Sequence, residues 1–222
     1  MTTRLTIARS WLVPALLLIL ASAVAPGTSV GATTPTMDQL SQAAMGDAFA
    51  SLNNPLLLGD PDQLHEAALA AFSQRQEEAV IYALHFLRRP RLERDGPQVI
   101  DRFSEFEVAR AVVDAFPDVA VPILIDTYNT SNATTRGNVI MALGPLAGDN
   151  EPAKGLLTEA LDDKTVCEEL DPESAGEPLR VADVAYNQLV LNLQVQDVLR
   201  TIGPSHRVEI RDQHIDILKG RL

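Results

Sequence analysis

From Met37 to the carboxyl terminus, apolar residues recur three and four positions apart, the spacing that gives a helix one buried face. Met37 to Leu52 carries Leu40, Ala43, Ala44, Ala48 and Leu52 in this way, with Asp38 placed to cap its start and Asn53-Asn54-Pro55 to end it. Gly59-Asp60-Pro61 opens a second helix with Leu64, Ala67, Ala68, Ala71 and Phe72 on one face. Glu77 to Arg89 is a third, burying Ala79, Val80, Ala83, Leu84 and Leu87. The period returns over Phe103 to Phe116, and Pro117-Asp118 opens the next helix with proline and an acid in its first turn. Near the end, Val195 to Ile202 predicts a short helix stopped by Gly203-Pro204. Val208 to Leu218 predicts a last one, with Ile210, Ile215 and Leu218 inward and Arg207, Arg211 and Lys219 outward. Strict apolar–polar alternation is absent, so the pattern predicts an all-α chain without strands.

Residues 118–193 hold two passes of one pattern, an apolar helix followed by a second helix with regularly spaced small residues. Aligning Leu143 with Leu189 places Thr135-Arg136-Gly137 opposite Val181-Ala182-Asp183 and Val139 opposite Ala185, an offset of 46 residues. That length suits a repeat of two antiparallel helices, a unit that buries its apolar face only by stacking on a neighbour. The run Thr135-Arg136 through Ala142-Leu143-Gly144 resembles the second helix of HEAT-like (armadillo-type) repeats, which often reads apolar, Arg, Asp, small residues, Ala-Leu-Gly. Gly137 stands in place of the acid; the later pass keeps the acid as Asp183 and has Arg180 one position early. The resemblance implies an α-solenoid, a right-handed superhelix of antiparallel helix pairs whose curved stack is a protein-binding surface. It implies no particular reaction. Residues 195–220 then act as a terminal cap.

The amino terminus changes the picture of where this happens. Arg4 and Arg9 precede an apolar run from Trp11 to Val24, and small residues offer cleavage after Ala23 or, preferably, Ala32. Basic, apolar and small-residue segments in that order predict a secretory signal over residues 1–32. The apolar run is 14 residues long, against the ~20 needed to span a bilayer. The expectation is an exported chain, periplasmic or extracellular, with one domain over 33–222 and no integral span after cleavage. Cleavage takes two arginines and no acids, moving the formal charge from -12 to -14. Such a surface disfavours nucleic acid and anionic membranes, which are held through Lys and Arg. The single Cys167 excludes an internal disulfide; it is a free thiol or pairs with another chain. Asn129 and Asn132 each begin a glycosylation sequon, but their Asn/Ser/Thr cluster reads as the turn between two helices.

Signals for catalysis are missing. His65, His85, His206 and His214 lie on separate segments without ligand spacing, and no HExxH, GxSxG, CxxC or Gly-rich phosphate loop occurs. The expectation is a non-enzyme with no cofactor and no metal. Two loops interrupt the helices. Arg88 to Pro97 is basic and rich in turn formers, a solvated loop or an anion site. Asp162 to Pro178 is acidic, and Asp162, Asp163, Glu168, Glu169, Asp171 and Glu173 lack the alternating acids and central Gly of an EF-hand. In helical stacks the second helix of each pair usually lines the concave face. That makes Arg136, Arg180, Asp183 and Asn187 the candidates for contacting a partner, with capping and inter-repeat bonding as the competing role. The reading is an exported protein-interaction module whose partner is another protein. The alternative is a ligand- or cation-binding accessory, or an enzyme, using the acidic 162–178 loop.

Overall fold

The computed structural model describes residues 37–95, 98–168, 176–193, 195 and 199–222, leaving out the side chains of 37–40, 94 and 95. The predicted signal over 1–32 lies outside the described residues, as do Gly96-Pro97 and residues 169–175 of the acidic loop. The helices are α1 (Met37–Leu52), α2 (Pro55–Leu58), α3 (Pro61–Phe72), α4 (Gln76–Leu87), α5 (Phe103–Ala115), α6 (Pro117–Thr130), α7 (Ala133–Leu143), α8 (Glu151–Glu159), α9 (Val181–Asn192) and α10 (Val208–Lys219). Short 3-10 turns follow α7 (Gly144–Gly148) and α8 (Ala160–Asp162). The chain is mostly helical, as its periodicity requires.

Local chemistry sets several boundaries. Asn54, Asp60, Asn132 and Asn150 each accept a backbone N–H from the first turn of α2, α3, α7 and α8, at 2.9 to 3.2 Å. Each removes one of the donors that a helix start leaves unpaired. Asn132 therefore sits in the turn between α6 and α7, where the Asn/Ser/Thr cluster placed it. By contrast, α1 begins at Met37, so Asp38 is inside the first turn rather than ahead of it.

The helices pack in two rows. In one row α3 contacts α5, α5 contacts α7 and α7 contacts α9; in the other α4 contacts α6 and α6 contacts α8. The pairs α4–α5, α6–α7 and α8–α9 join the rows. Leu143 and Leu189, aligned by the 46-residue offset, are both fully buried, as are Val139 and Ala185. In α4 the buried residues are the five that the period selects. In α1 they are so only in part: Leu52 is buried as expected, but Met45 and Phe49 are buried too, while Ala43 and Ala44 face solvent. The rings decide this, because Phe49 packs on Phe72, Tyr82 and Phe86 with centroids 4.8 to 5.6 Å apart, and a ring buries far more apolar area than an alanine.

Among the described residues, the departures from an all-helical chain are two small antiparallel strand pairs. β1 (Leu92–Asp95) pairs with β2 (Gln98–Asp101), and β3 (Val166–Glu168) pairs with β4 (Leu179–Arg180). β1 and β3 fall within the two segments read as loops, Arg88–Pro97 and Asp162–Pro178; β2 and β4 follow directly after them. Strands this short carry too little alternation to show a period. β3 packs on α7 and β4 on α9, and Asn138 of α7 donates to the carbonyls of Leu87 and Arg89 at 3.0 and 2.8 Å, closing the end of α4. At the carboxyl end, the described residues of Val195 to Ile202 carry no helix, although Leu199 N–H donates to Val195 O at 3.0 Å as one helical turn would. Helix α10 is rotated from expectation. Ile215 and Leu218 are buried, but Arg211 completes their face and Ile210 is exposed.

Gly137 explains one departure from the repeat pattern. A methyl group there would stand 2.9 Å from Cys167 Sγ and 3.0 Å from its Cβ, so the missing side chain is what lets β3 lie against α7. Gly137→Ala gains about 1 kcal/mol of helix propensity and loses more through the clash, about 1–3 kcal/mol. The expected net result is destabilisation in urea unfolding. Combining it with Cys167→Ala recovers part of the loss; strictly additive losses would show that the two residues do not meet.

Candidate functional site

The four residues singled out as partner contacts lie on the row of α7 and α9, and the fold covers that row. Asp183 is fully buried. It accepts from the Arg180 backbone N–H at 2.9 Å and from the Arg180 guanidinium at 3.1 and 2.8 Å. Arg211, also fully buried, reaches in from α10 to the same carboxylate at 2.5 Å. A guanidinium has five N–H donors, and Arg211 finds five acceptors: Asp183, the carbonyls of His206 and Pro178 at 3.0 Å, and the Glu177 carboxylate at 3.2 Å and carbonyl at 3.5 Å. The Glu177 carboxylate also accepts the Val208 N–H at 2.7 Å, at the start of α10. Arg180 makes a second ion pair with Asp212 at 2.9 Å, which Lys164 approaches from outside at 3.2 Å. The hydrogen bond to Asp183 raises the Arg180 pKa further, so the guanidinium stays charged despite its burial. Arg180 and Asp183 thus have no face open to another molecule.

Asn187 is similarly engaged. Its amide donates to Ile202 O and accepts from Ile202 N–H, both at 2.8 Å. Beside it Tyr186 donates its hydroxyl to Arg200 O at 2.9 Å and stands 3.2 Å from His214 Nδ1. Together they fasten residues 200–202 across α9. Arg136 is partly exposed. Its guanidinium is 2.9 Å from Asp163 Oδ2, donates to Thr165 Oγ1 at 2.7 Å and lies 5.9 Å from the Tyr128 ring centre. The residue that sequence reasoning placed outward and the fold buries is Arg211. A signal for it existed, since Arg211, Ile215 and Leu218 are spaced as one helical face; the charge obscured it.

The described acids of the 162–178 loop are each neutralised within the chain. Asp162 pairs with Lys219 at 2.5 Å, Asp163 with Arg136, Glu168 with Arg91 at 2.7 Å and Glu177 with Arg211. Glu169, Asp171 and Glu173 lie outside the described residues. Among the described residues no group of three or more His, Cys, Asp or Glu is arranged to hold a metal ion. No described helix is long and apolar enough to cross a membrane. Cys167 is a free thiol beside a cleft of about 170 Å³ lined by Arg91, Leu92, Thr134, Asn138 and Val166. Burial, with help from Glu168, pushes its pKa up to about 12. A more open cleft of about 520 Å³ lies between α1 and α4, floored by Met45, Ile81 and Tyr82. Ser41, Arg75 and Glu78 form a hydrogen-bonded group at its rim, and His85, exposed, contacts Arg89 at 2.5 Å. Burial and the Arg89 charge lower the His85 pKa, keeping the ring neutral.

No family model, curated protein or solved structure matches the chain.

Three outcomes follow from this chemistry. Asp183→Ala leaves Arg180 and Arg211 as uncompensated buried charges and is expected to cost about 3–5 kcal/mol in urea unfolding; a loss under about 1 kcal/mol would mean that the cluster contributes little. Burial pushes the Asp212 carboxyl up, but hydrogen bonds from Arg180 and Lys164 outweigh it and leave the group below its ordinary 3.8. A carboxyl depressed in the folded state stabilises it above the unfolded value and loses that contribution as pH falls through the folded value. The urea midpoint is therefore expected to drop on acidification below about pH 5, and Asp212→Asn to make that drop shallower. For Cys167, only the thiolate attacks disulfide reagents, so a colorimetric thiol reagent at neutral pH is expected to react slowly with the native chain and at once in denaturant.

Proposed function

We propose that the chain is an exported, non-catalytic protein-interaction module built from HEAT-like helix pairs stacked as a right-handed superhelix. Its partner is another protein. Two features support the stack: alternate helices pack in two rows, and equivalent buried leucines recur at the repeat offset. Export rests on the basic, apolar and small-residue order of residues 1–32. The partner surface follows from what covers the row of α7 and α9. With Arg180, Asp183 and Asn187 engaged inside the chain, contact falls to the strand pairs and loops outside them.

One observation carries this choice. Leu92 is 52% exposed, Val99 60% and Val166 39%, on short strands where apolar side chains would ordinarily be turned inward. In the β1–β2 register Leu92 lies opposite Asp101 and Arg94 opposite Val99, so Leu92 and Val99 share one face as diagonal neighbours. Leu92 and Val166 line the same small cleft. The Arg91–Glu168 ion pair bridges the two strand pairs, and Arg91 also lies 5.4 Å from the ring centre of the half-exposed Phe103. Apolar side chains ringed by charged ones have the composition of a binding patch.

The test is a crosslinking pull-down from the native envelope or secreted fraction, comparing the chain with its Leu92→Ser/Val99→Ser variant. A stoichiometric partner held about tenfold more weakly by the variant is the expected result. A partner that ignores the variant would remove this surface from the proposal.

A further inference from the structure

The two-stranded sheet of β1 and β2 leaves one long side of β2 without a neighbouring strand. Arg102 N–H donates to Arg91 O at 2.8 Å, and this pair continues the register in which Leu92 lies opposite Asp101 and Glu93 opposite Ile100. Bonded and non-bonded pairs alternate along an antiparallel ladder. With Arg91–Arg102 bonded, Glu93–Ile100 and Asp95–Gln98 are bonded too, and Val99 and Asp101 turn their N–H and C=O away from β1. Among the described residues no backbone group meets those of Val99 and Asp101. Gln98, Val99 and Asp101 are exposed. The β1 side differs, because there Leu92 and Val166 line one cleft and Arg91 is tied to Glu168 of β3. An open strand edge is a template for another strand.

We propose that the β2 edge pairs with the β2 edge of a second copy of this chain, antiparallel about a two-fold axis at Ile100. The hydrogen-bond phase selects this arrangement, because bonded pairs must join the outward residues Val99 and Asp101. Val99 opposite the other copy's Val99 sets Asp101 against Pro97, which has no N–H to give. Asp101 opposite Asp101 sets like charges together, as does parallel pairing in register. Val99 opposite Asp101 does neither, and the two-fold axis repeats it on both sides, each pair exchanging its N–H···O bonds. The two Ile100 side chains then meet at the centre, with Cβ atoms about 4.5–5.5 Å apart. Charge favours a second copy as well. Residues 91–102 balance Arg91, Arg94 and Arg102 against Glu93, Asp95 and Asp101, so two copies meet there without net repulsion although the chain carries -12. The pairing uses the edge of β2, whereas the partner patch at Leu92 and Val99 is its face. It sets the patches of the two copies side by side on one sheet and leaves them open.

Sedimentation equilibrium of the chain from micromolar to millimolar concentration is expected to show monomers in equilibrium with dimers. Val99→Pro removes only the outward N–H, a change that edge strands accept. It is expected to weaken the dimer by at least about tenfold and to leave the helical circular dichroism unchanged. In a Cys167→Ala background, Ile100→Cys is expected to form an interchain disulfide under mild oxidation, because the axis sets those two positions opposite. Gln98→Cys is not, since it faces Arg102 and lies about 13 Å along the strand from its own copy. The disulfide comparison decides the pairing even where Val99→Pro disturbs the hairpin. A chain that stays monomeric at millimolar concentration, a dimer that survives Val99→Pro, or disulfides formed equally at positions 98 and 100 would each overturn the proposal. A monomeric chain that loses a captured protein partner on Val99→Pro would give the edge to that partner's strand, overturning the second copy as occupant.

Discussion

The contact on which the carboxyl-terminal third depends is the buried pair of Arg211 and Asp183. Neither side chain is exposed, and each is satisfied by the other together with Arg180 and Glu177. An ion pair out of water adds little net stability, because desolvation offsets most of its attraction. It is nevertheless severe about geometry, since either charge left alone would cost several kcal/mol. Helix α10 can therefore lie on α9 only in the rotation that brings Arg211, rather than Ile210, to the buried face. From that rotation follow the approach of His214 to Tyr186, the capping of α10 by Glu177 and the path of residues 199–207 over α9.

The same logic operates 46 residues earlier with different chemistry. Gly137 occupies the position in α7 that Asp183 occupies in α9. Where Asp183 receives Arg211, Gly137 leaves room for Cys167 of β3. In both helices the position that would look out from a bare helix pair receives a side chain from a covering segment. One contact is ionic and the other steric. Both α7 and α9 are consequently buried nearly all round, which a helix on the open face of a stack would not be.

That covering relocates the places where function can reside. The described acids of the acidic loop, Asp162, Asp163, Glu168 and Glu177, meet the chain's own cations. Arg136, partly exposed, is held by Asp163, Thr165 and Tyr128. What faces outward is the set of apolar side chains Leu92, Val99 and Val166 on the two strand pairs.

The sequence by itself determined the helices and much of the core. The period picked out the five buried residues of α4, and Asp60, Asn132 and the prolines marked helix starts, because capping and periodicity depend on residues within a turn or two of one another. Leu143 and Leu189, 46 residues apart, are both buried, as the helical period of each segment predicts. Tertiary structure alone decided the rest. The strand pairs β1–β2 and β3–β4 were not legible, because strands of two to four residues have no period to read; β3 and β4 lie against α7 and α9. Helix α10 turned Arg211 inward because Asp183, 28 residues away, was there to meet it. Phe49 meets Tyr82 and Phe86 for a similar reason: α1 and α4 lie apart in the chain, and their rings come together only when the two helices pack.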